Sequence, residues 1–326
     1  FSSTDLTRVT IPGSVRNTTV IGIGDWAFSC PLESVTFEPG TEPLTLGEYA
    51  FSASGVDDDK AMTSVTLPAR LAPFTAADGT MIPALANGRD VFNWQLASFV
   101  MEEGSKTYAA VDGVLYNADK TELLFCPKAK AGAVIIPASV KKIDAQAFYS
   151  CQSVTSIEFT TGSKCEEIGD KAFYWCLGLT TLVIPDSVQK IGAEAFVNCQ
   201  NLESLTLPAS ITVFDKDMIR YCKKLTNLVI TGGTNYKVVD GVLFTADGKT
   251  LIYYLSYLTN TSYTVPEGVE TIGEQAFNSN LSLTSVSLPS TLKEIGKYAF
   301  SGCKNISSVT FAPSDKPLVI GYSAFG

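Results

Sequence analysis

"IGAEAFVNCQNLESLTLP", residues 191–208, follows a near copy of itself, "IGDKAFYWCLGLTTLVIP", residues 168–185. Both carry Ile-Gly, then Ala-Phe, then Cys, then an apolar run of the form L-x-x-L ending at Pro. Internal repetition decides architecture before any local assignment, because a repeated unit that cannot bury its own apolar face must bury it against its copies. The Ala-Phe element places Phe at 28, 51, 148, 173, 196, 277, 300 and 325, with spacings of 23 or 25 residues inside each run. A cysteine stands three places after Phe148, Phe173, Phe196 and Phe300, at Cys151, Cys176, Cys199 and Cys303.

The second half of each unit, as in "LESLTLP" (202–208) and "LTSVSLP" (283–289), alternates apolar residues with Ser, Thr or Glu. That period of two predicts a strand with one buried face, and the following proline ends it by donating no N–H. A second apolar pair follows, such as Val188 and Ile191, and then "AEAFVNC", read as a short helical turn with Phe196 and Cys199 inward together. Strand starts near residues 9, 32, 62, 96, 133, 154, 179, 202, 225, 262, 283 and 306 predict about twelve coils. The expected fold is an α/β right-handed solenoid, strand-dominated, with a parallel β-ladder and short helical turns.

Two interruptions repeat each other. "TYAAVDGVLYNADKTELLF" (107–125) matches "NYKVVDGVLFTADGKTLIY" (235–253), each with Asp-Gly between alternating runs, a strong hairpin signal. They predict β-hairpin insertions near 107–132 and 235–261 in one solenoid spanning 1–326, with approximate related halves 1–153 and 154–326.

Composition narrows function. The 326-residue chain carries a net charge of -9 and no histidine. No basic stripe suits nucleic acid or an anionic membrane, and no apolar run reaches the roughly 18 residues of a membrane span. Without histidine, Ser-His-Asp and Cys-His nucleophile systems and imidazole metal sites are excluded. The opening "FSSTD" reads as a trimmed or mature N-terminus.

The strings "IPDSVQKIGAEAFVNC" (184–199), "LPSTLKEIGKYAFSGC" (288–303) and "VPEGVETIGEQAF" (265–277), with "VDGVLY" hairpins between runs, resemble the BspA-like leucine-rich-repeat family of bacterial surface proteins. The resemblance covers most of the chain and is weakest over 72–95. It implies a leucine-rich-repeat fold and a secreted or cell-surface-anchored protein, since some members act as adhesins. The shared residues are scaffold, so no binding residue transfers.

Several stretches invite a chemical reading. Cys151, Cys176, Cys199 and Cys222 recur at coil spacing and are read as one inward column of reduced thiols, with Cys165 in the place of Val188. "VIGIGDWA" (20–27) has the spacing of a dinucleotide loop, but Gly24 and Ala27 fall on repeat positions. "VDDDK" (56–60) offers clustered carboxylates to calcium, yet reads better as a solvated loop. Glu166 with Glu167, and Asp215 with Asp217, are acid pairs at outward repeat positions.

The expectation is therefore a non-catalytic protein-binding or adhesion module with no catalytic residues, cofactor or metal. Its partner is a host or microbial surface protein or glycan; nucleic acid and membrane insertion are not expected. The alternatives are a carbohydrate-active or carbohydrate-binding protein using acidic residues on the sheet face, and a structural spacer. Binding hot spots need aromatic or arginine anchors. Two hydroxyl-rich rows on the main strands, among them Ser204 with Asn227 and Thr206 with Val229, lack them. The candidate partner-binding residues are Tyr236, Tyr253, Tyr254 and Tyr257 around the second hairpin, with Tyr174 and Trp175 beside the turns. At the other end, "LVIGYSAFG" (318–326) supplies no polar cap. It leads to the expectation that the natural protein continues, or that the strand at 306–312 meets another chain.

Overall fold

The computed structural model describes residues 6–52, 61–76, 80–85, 91–232 and 235–326, so the "VDDDK" stretch lies outside it. The fold is a strand-dominated parallel β-solenoid of about 13 turns with almost no helix. Contacts divide the chain into two units: 1–178 with 191–197, and 179–190 with 198–326.

All twelve expected main strands are present. In the first unit Arg8–Ile11 pairs with Ser34–Phe37, Ser64–Leu67 with Ser98–Met101, and Gly132–Ile136 with Val154–Phe159, each pair parallel. In the second, Thr181–Val183, Ser204–Leu207 and Asn227–Ile230 form one parallel ladder, and Ser262–Thr264, Ser285–Leu288 and Ser308–Phe311 another. Register aligns like with like: Ser204 opposes Asn227 and Thr206 opposes Val229. The hydroxyl rows bond along the ladder, Asn227 Nδ2 donating to Ser204 Oγ at 2.9 Å and Thr310 Oγ1 to Ser287 Oγ at 3.0 Å. A second ladder is built from two-residue rungs such as Lys142–Ile143 on Glu167–Ile168, and Thr271–Ile272 on Glu294–Ile295.

The third face corrects the sequence reading. The segment expected to be a helical turn is a run of tight turns, because two residues in it have left-handed backbone that no right-handed helix accommodates. The residue two before each column phenylalanine has positive φ, as at Lys171 (54°), Glu194 (55°), Gln275 (55°) and Tyr298 (56°). The residue two after does the same at Ser150 (60°), Trp175 (63°), Asn198 (62°) and Ser279 (59°). This alternation turns backbone N–H groups toward the next coil. Lys171 N, Phe173 N and Trp175 N donate to Ala193 O, Ala195 O and Val197 O at 2.8–2.9 Å, and Gln275 N, Phe277 N and Ser279 N repeat the scheme on Lys297, Ala299 and Ser301. Hydrogen bonds between turns thus replace those a helix would make within itself. Among the described residues, Lys216–Ile219 forms a short 3-10 helix capped by Asp215, whose Oδ1 accepts from Asp217 N at 2.9 Å.

The recurring Ile-Gly has its own cause. A Cβ built on Gly192 would stand 2.4 Å from Asp170 N, and one on Gly169 2.5 Å from Ala145 N. Successive turns approach too closely there for any side chain. Asp170 Oδ1 then accepts from Ala193 N at 2.8 Å, clamping the two turns. The "VIGIGDWA" stretch is one such rung, Gly22–Ile23 on Thr45–Leu46, followed by a turn in which Trp26 has φ 54°. The helix that a dinucleotide loop needs for its phosphates is replaced by that turn.

Inside, rings stack in columns: Phe148 on Phe173 at 5.2 Å, Phe173 on Phe196 at 5.5 Å, and Phe277 on Phe300 at 4.6 Å. Phe92 and Tyr254 occupy column places that no Ala-Phe marks, stacking on Phe51 at 5.6 Å and on Phe277 at 5.1 Å. The eight cysteines are unbridged, seven of them buried and Cys303 half-buried. Their thiols do more than fill space. Cys176 Sγ donates to Phe148 O at 3.1 Å and Cys303 Sγ to Phe277 O at 3.0 Å, a carbonyl of the turn before. Asn280, fully buried in the same repeat place, donates through Nδ2 to Ser256 O at 3.1 Å.

Both hairpins form as expected. Asp112 and Gly113 have φ of 47° and 77°, Asp240 and Gly241 50° and 76°, the paired positive values of a tight two-residue turn. At the last rungs Phe311, Val319, Ile320 and Tyr322 stay exposed.

Candidate functional site

The second hairpin is spliced into the repeat between two turns of the second unit. Before it, Asn198 N donates to Arg220 O; after it, Tyr254 N donates to Ala276 O. Where the insertion parts these turns, a groove opens. Its wall comes from the coil that departs most from the repeat, "DKDMIRYC" (215–222), in which Ile219 replaces the column phenylalanine and the 3-10 helix replaces the first tight turn. That coil projects Tyr221, 49% exposed, with the Arg220 guanidinium 5.3 Å from its ring centroid. In the following turns the place of Tyr221 falls to Ser256 and Ser279, whose small side chains leave the space open.

The groove has a volume of about 290 Å³ and is lined by Asp217, Arg220, Tyr221, Tyr253, Ser256, Tyr257, Gln275, Asn278 and Ser279. Tyr253 OH and Ser256 Oγ share a hydrogen bond of 2.8 Å, and Ser256 Oγ reaches Asn278 O at 3.4 Å. The Tyr253 ring is therefore held in a fixed orientation. Burial pushes the phenols of Tyr253 and Tyr257 up, so both are neutral hydroxyls at physiological pH. One carboxylate and one guanidinium balance in charge; the remaining polar groups are amides and hydroxyls.

The six candidate aromatics separate. Tyr253 and Tyr257 line this groove. Tyr254 does not: it is 1% exposed, stacked on Phe277 and set edge-on to Tyr263 at 5.1 Å, so it belongs to the core. A β-bulge decides between them: the register shifts between the pairs Leu243–Tyr253 and Phe244–Leu251, so that Tyr254 rather than Tyr253 shares the buried face with Leu251, which a count of neighbouring tyrosines could not reveal. Tyr236 is a staple, its hydroxyl donating to Thr212 O at 3.0 Å and accepting from Phe214 N at 3.1 Å. Tyr174 and Trp175 lie in the first unit, where Tyr174 stacks on Tyr149 at 5.1 Å and Trp175 is 39% exposed. The candidate set read from sequence omits Arg220, Tyr221, Ser256, Gln275, Asn278 and Ser279, and weighs Asp217 only as an acid paired with Asp215. The signal was present in "DMIRYC", a unit that loses its Ala-Phe immediately before an insertion.

A second hollow of about 380 Å³ lies on the same hairpin, bounded by Lys237, Asp240, Phe244, Asp247, Tyr263 and Glu267 among others. Two of its carboxylates are committed within the fold: Asp247 accepts from Thr245 Oγ1 and Lys249 N, and Glu267 from Ser290 N. No group of three or more Cys, Asp or Glu able to hold a metal ion occurs among the described residues. Asp215 is occupied as a helix cap and Glu166 is exposed. No helix among the described residues is long and apolar enough to cross a membrane.

The BspA type leucine rich repeat region matches this chain six times, over residues 1–70, 123–245 and 252–326. The chain belongs to that family. Residues 71–122, which hold the weakest stretch of the sequence repeat, fall outside the match. No curated protein matches the sequence. Among solved structures, a leucine-rich repeat protein from Eubacterium ventriosum is similar over 98% of this chain and 76% of its own, at 24% identity and a TM-score of 0.53, which shows the shared fold. A leucine rich cell surface protein from Faecalibacterium prausnitzii aligns over 96% of this chain and 74% of its own at 20% identity and TM-score 0.41. The pneumococcal vaccine antigen PcpA aligns over 98% and 69% at 19% identity and TM-score 0.41.

Proposed function

We propose that this BspA-type repeat protein is a non-catalytic binding or adhesion module displayed at a bacterial cell surface, and that it holds its partner in the groove beside the second hairpin. The supporting observation is the assembly of Tyr221, Tyr253 and Tyr257 around an open hollow with Arg220. Aromatic and arginine side chains are the residues that dominate binding energy. The rows of the main strands offer Ser, Thr and isolated aliphatics, a surface that solubilises rather than anchors.

The chemistry of the groove suits capture rather than turnover. Its carboxylate, Asp217, stands with a guanidinium and amides, and glycoside cleavage needs a second carboxyl placed across the bond. Secretion to the surface is inferred from the family. The test is binding of the purified protein to immobilised extracellular proteins and to a glycan array, with Tyr221→Ala and a reducing-sugar release assay in parallel. Capture that Tyr221→Ala abolishes, without sugar release, is the expected result. Release of reducing sugar, or capture indifferent to Tyr221, would overturn the proposal.

A further inference from the structure

The groove beside the second hairpin has a chemical signature that narrows the ligand class, granted the binding role proposed above. At about 290 Å³ it stands at the small end of the roughly 300–1,000 Å³ typical of ligand sites, sized for one or two rings rather than for a protein surface. Protein partners that bind stably cover about 800 Å² on each side, far more than three tyrosines and their neighbours present.

The lining is a combination of flat rings and planar polar groups. Tyr221 stands at the mouth, exposed and overlain by Arg220, while Tyr253 is locked by its bond to Ser256. Gln275 supplies a carbonyl and an NH₂ group, acceptor and donor side by side, and Asn278, whose Oδ1 accepts from Ser279 Oγ at 2.6 Å, adds its NH₂ donor. Asp217 and Arg220 cancel in charge. Such a surface has ring faces for C–H groups and donors and acceptors for adjacent hydroxyls, with no net charge among its lining residues.

We infer that the groove lined by Tyr221, Tyr253, Tyr257, Gln275 and Asn278 binds an uncharged hexose unit of a surface glycan. The sugar's apolar face lies on a tyrosine ring, and neighbouring hydroxyls bond to the amides and to Asp217 or Arg220. A lone anchoring ring and a shallow site give weak individual binding, so avidity from many displayed copies supplies retention.

The experiment is a printed array of neutral, sialylated and sulfated oligosaccharides, followed by calorimetric titration with the best-bound neutral oligosaccharide. Wild type should retain neutral oligosaccharides. Tyr221→Ala and Gln275→Ala should each weaken binding tenfold or more with an unchanged thermal midpoint, and Trp175→Ala, in the other unit, should leave it intact. Tyr221 is exposed, so its variant folds even where a buried substitution fails. Retention of acidic glycans alone, no retention of any saccharide, or equal affinity in Tyr221→Ala and wild type overturns the inference. If saccharides are refused but capture of an immobilised protein still depends on Tyr221, the binding role stands and only the ligand class falls; if neither depends on Tyr221, both fall.

Discussion

Gly192→Ala and Gly24→Ala change the same repeat position and should move stability in opposite directions. In the second and later turns of a run the Ile-Gly rung leans on the turn before, as at Gly47, Gly169 and Gly296. The new Cβ at 192 would stand 2.4 Å from Asp170 N and 2.5 Å from Gly169 C. Ordinary van der Waals contact begins near 3.4 Å, so the two rungs must part by about 1 Å, backbone against backbone, with no flexible side chain to yield. That separation pulls on Gly192 N to Ile168 O and on Ala193 N to Asp170 Oδ1, both 2.8 Å. Two hydrogen bonds at about 1 kcal/mol each and an overpacking cost of about 1–3 kcal/mol give a loss of about 3–5 kcal/mol. Gly24 lies in the first turn, with nothing within 4 Å of its added Cβ. Its backbone is outside the left-handed region, so alanine there stiffens only the unfolded chain and gains up to about 0.4–1 kcal/mol. Guanidinium unfolding followed by circular dichroism measures both. Equal midpoints for the two variants would refute the account of the recurring glycine as a close-approach residue.

Phe196→Ala opens a void in a column where the ring is fully buried and stacks on Phe173 at 5.5 Å; it should cost about 3–5 kcal/mol. Glu194→Ala should cost under about 1 kcal/mol, since its pair with Lys171 is a surface contact of 3.6 Å; comparable shifts in midpoint would contradict the column. Thiol titration with an aromatic disulfide reagent should find few reactive groups in the native protein and eight after unfolding without reductant, and a count below eight would expose a disulfide. Stability should fall on the alkaline side: burial pushes the Cys165 thiol from its ordinary 9.0 up to about 11. Its contribution is thus complete below pH 9 and lost as pH rises to 11. That loss amounts to about 2–3 kcal/mol, and the raised thiols of Cys126, Cys222 and Cys303 act in the same direction. A thermal midpoint constant from pH 8 to 11 would exclude this.

The main strands and the hairpins were legible residue by residue, because period-two alternation and Asp-Gly state their own geometry. Phe148, Phe173 and Phe196 were legible as a column for the same reason: stacking at one rung per coil forces identical residues at fixed spacing. The turn face was not. "AEAFVNC" has the apolar spacing of a helical turn, and its left-handed residues are Glu194 and Asn198, of which glutamate gives no hint of positive φ. What overrides helical propensity is the demand of the neighbouring turn for N–H donors two places either side of the column residue, as at Lys171 and Trp175 around Phe173, a tertiary constraint that no local window contains. The extra duty of the cysteines was hidden likewise, since a thiol that donates to a carbonyl 28 residues earlier, as Cys176 does to Phe148, looks in sequence like any small apolar residue.

The site and the repeat are legible for opposite reasons. A column position is fixed by its two neighbours, so its identity says what lies above and below and nothing about solvent. A column position becomes available for a ligand where one neighbour is missing, which in a solenoid happens where an insertion parts consecutive turns. Around the second hairpin the consequence is visible on both sides of the gap: Ile219 and Tyr254 take the column places, Tyr221 turns out, and Ser256 and Ser279 leave room opposite it. Tyr253 and Tyr254 are adjacent, equally aromatic and assigned to opposite fates by a bulge in the strand that carries them. A search for function in a repeat protein of this kind is best aimed at the units that break the pattern, and within them at the side chains that the column does not claim.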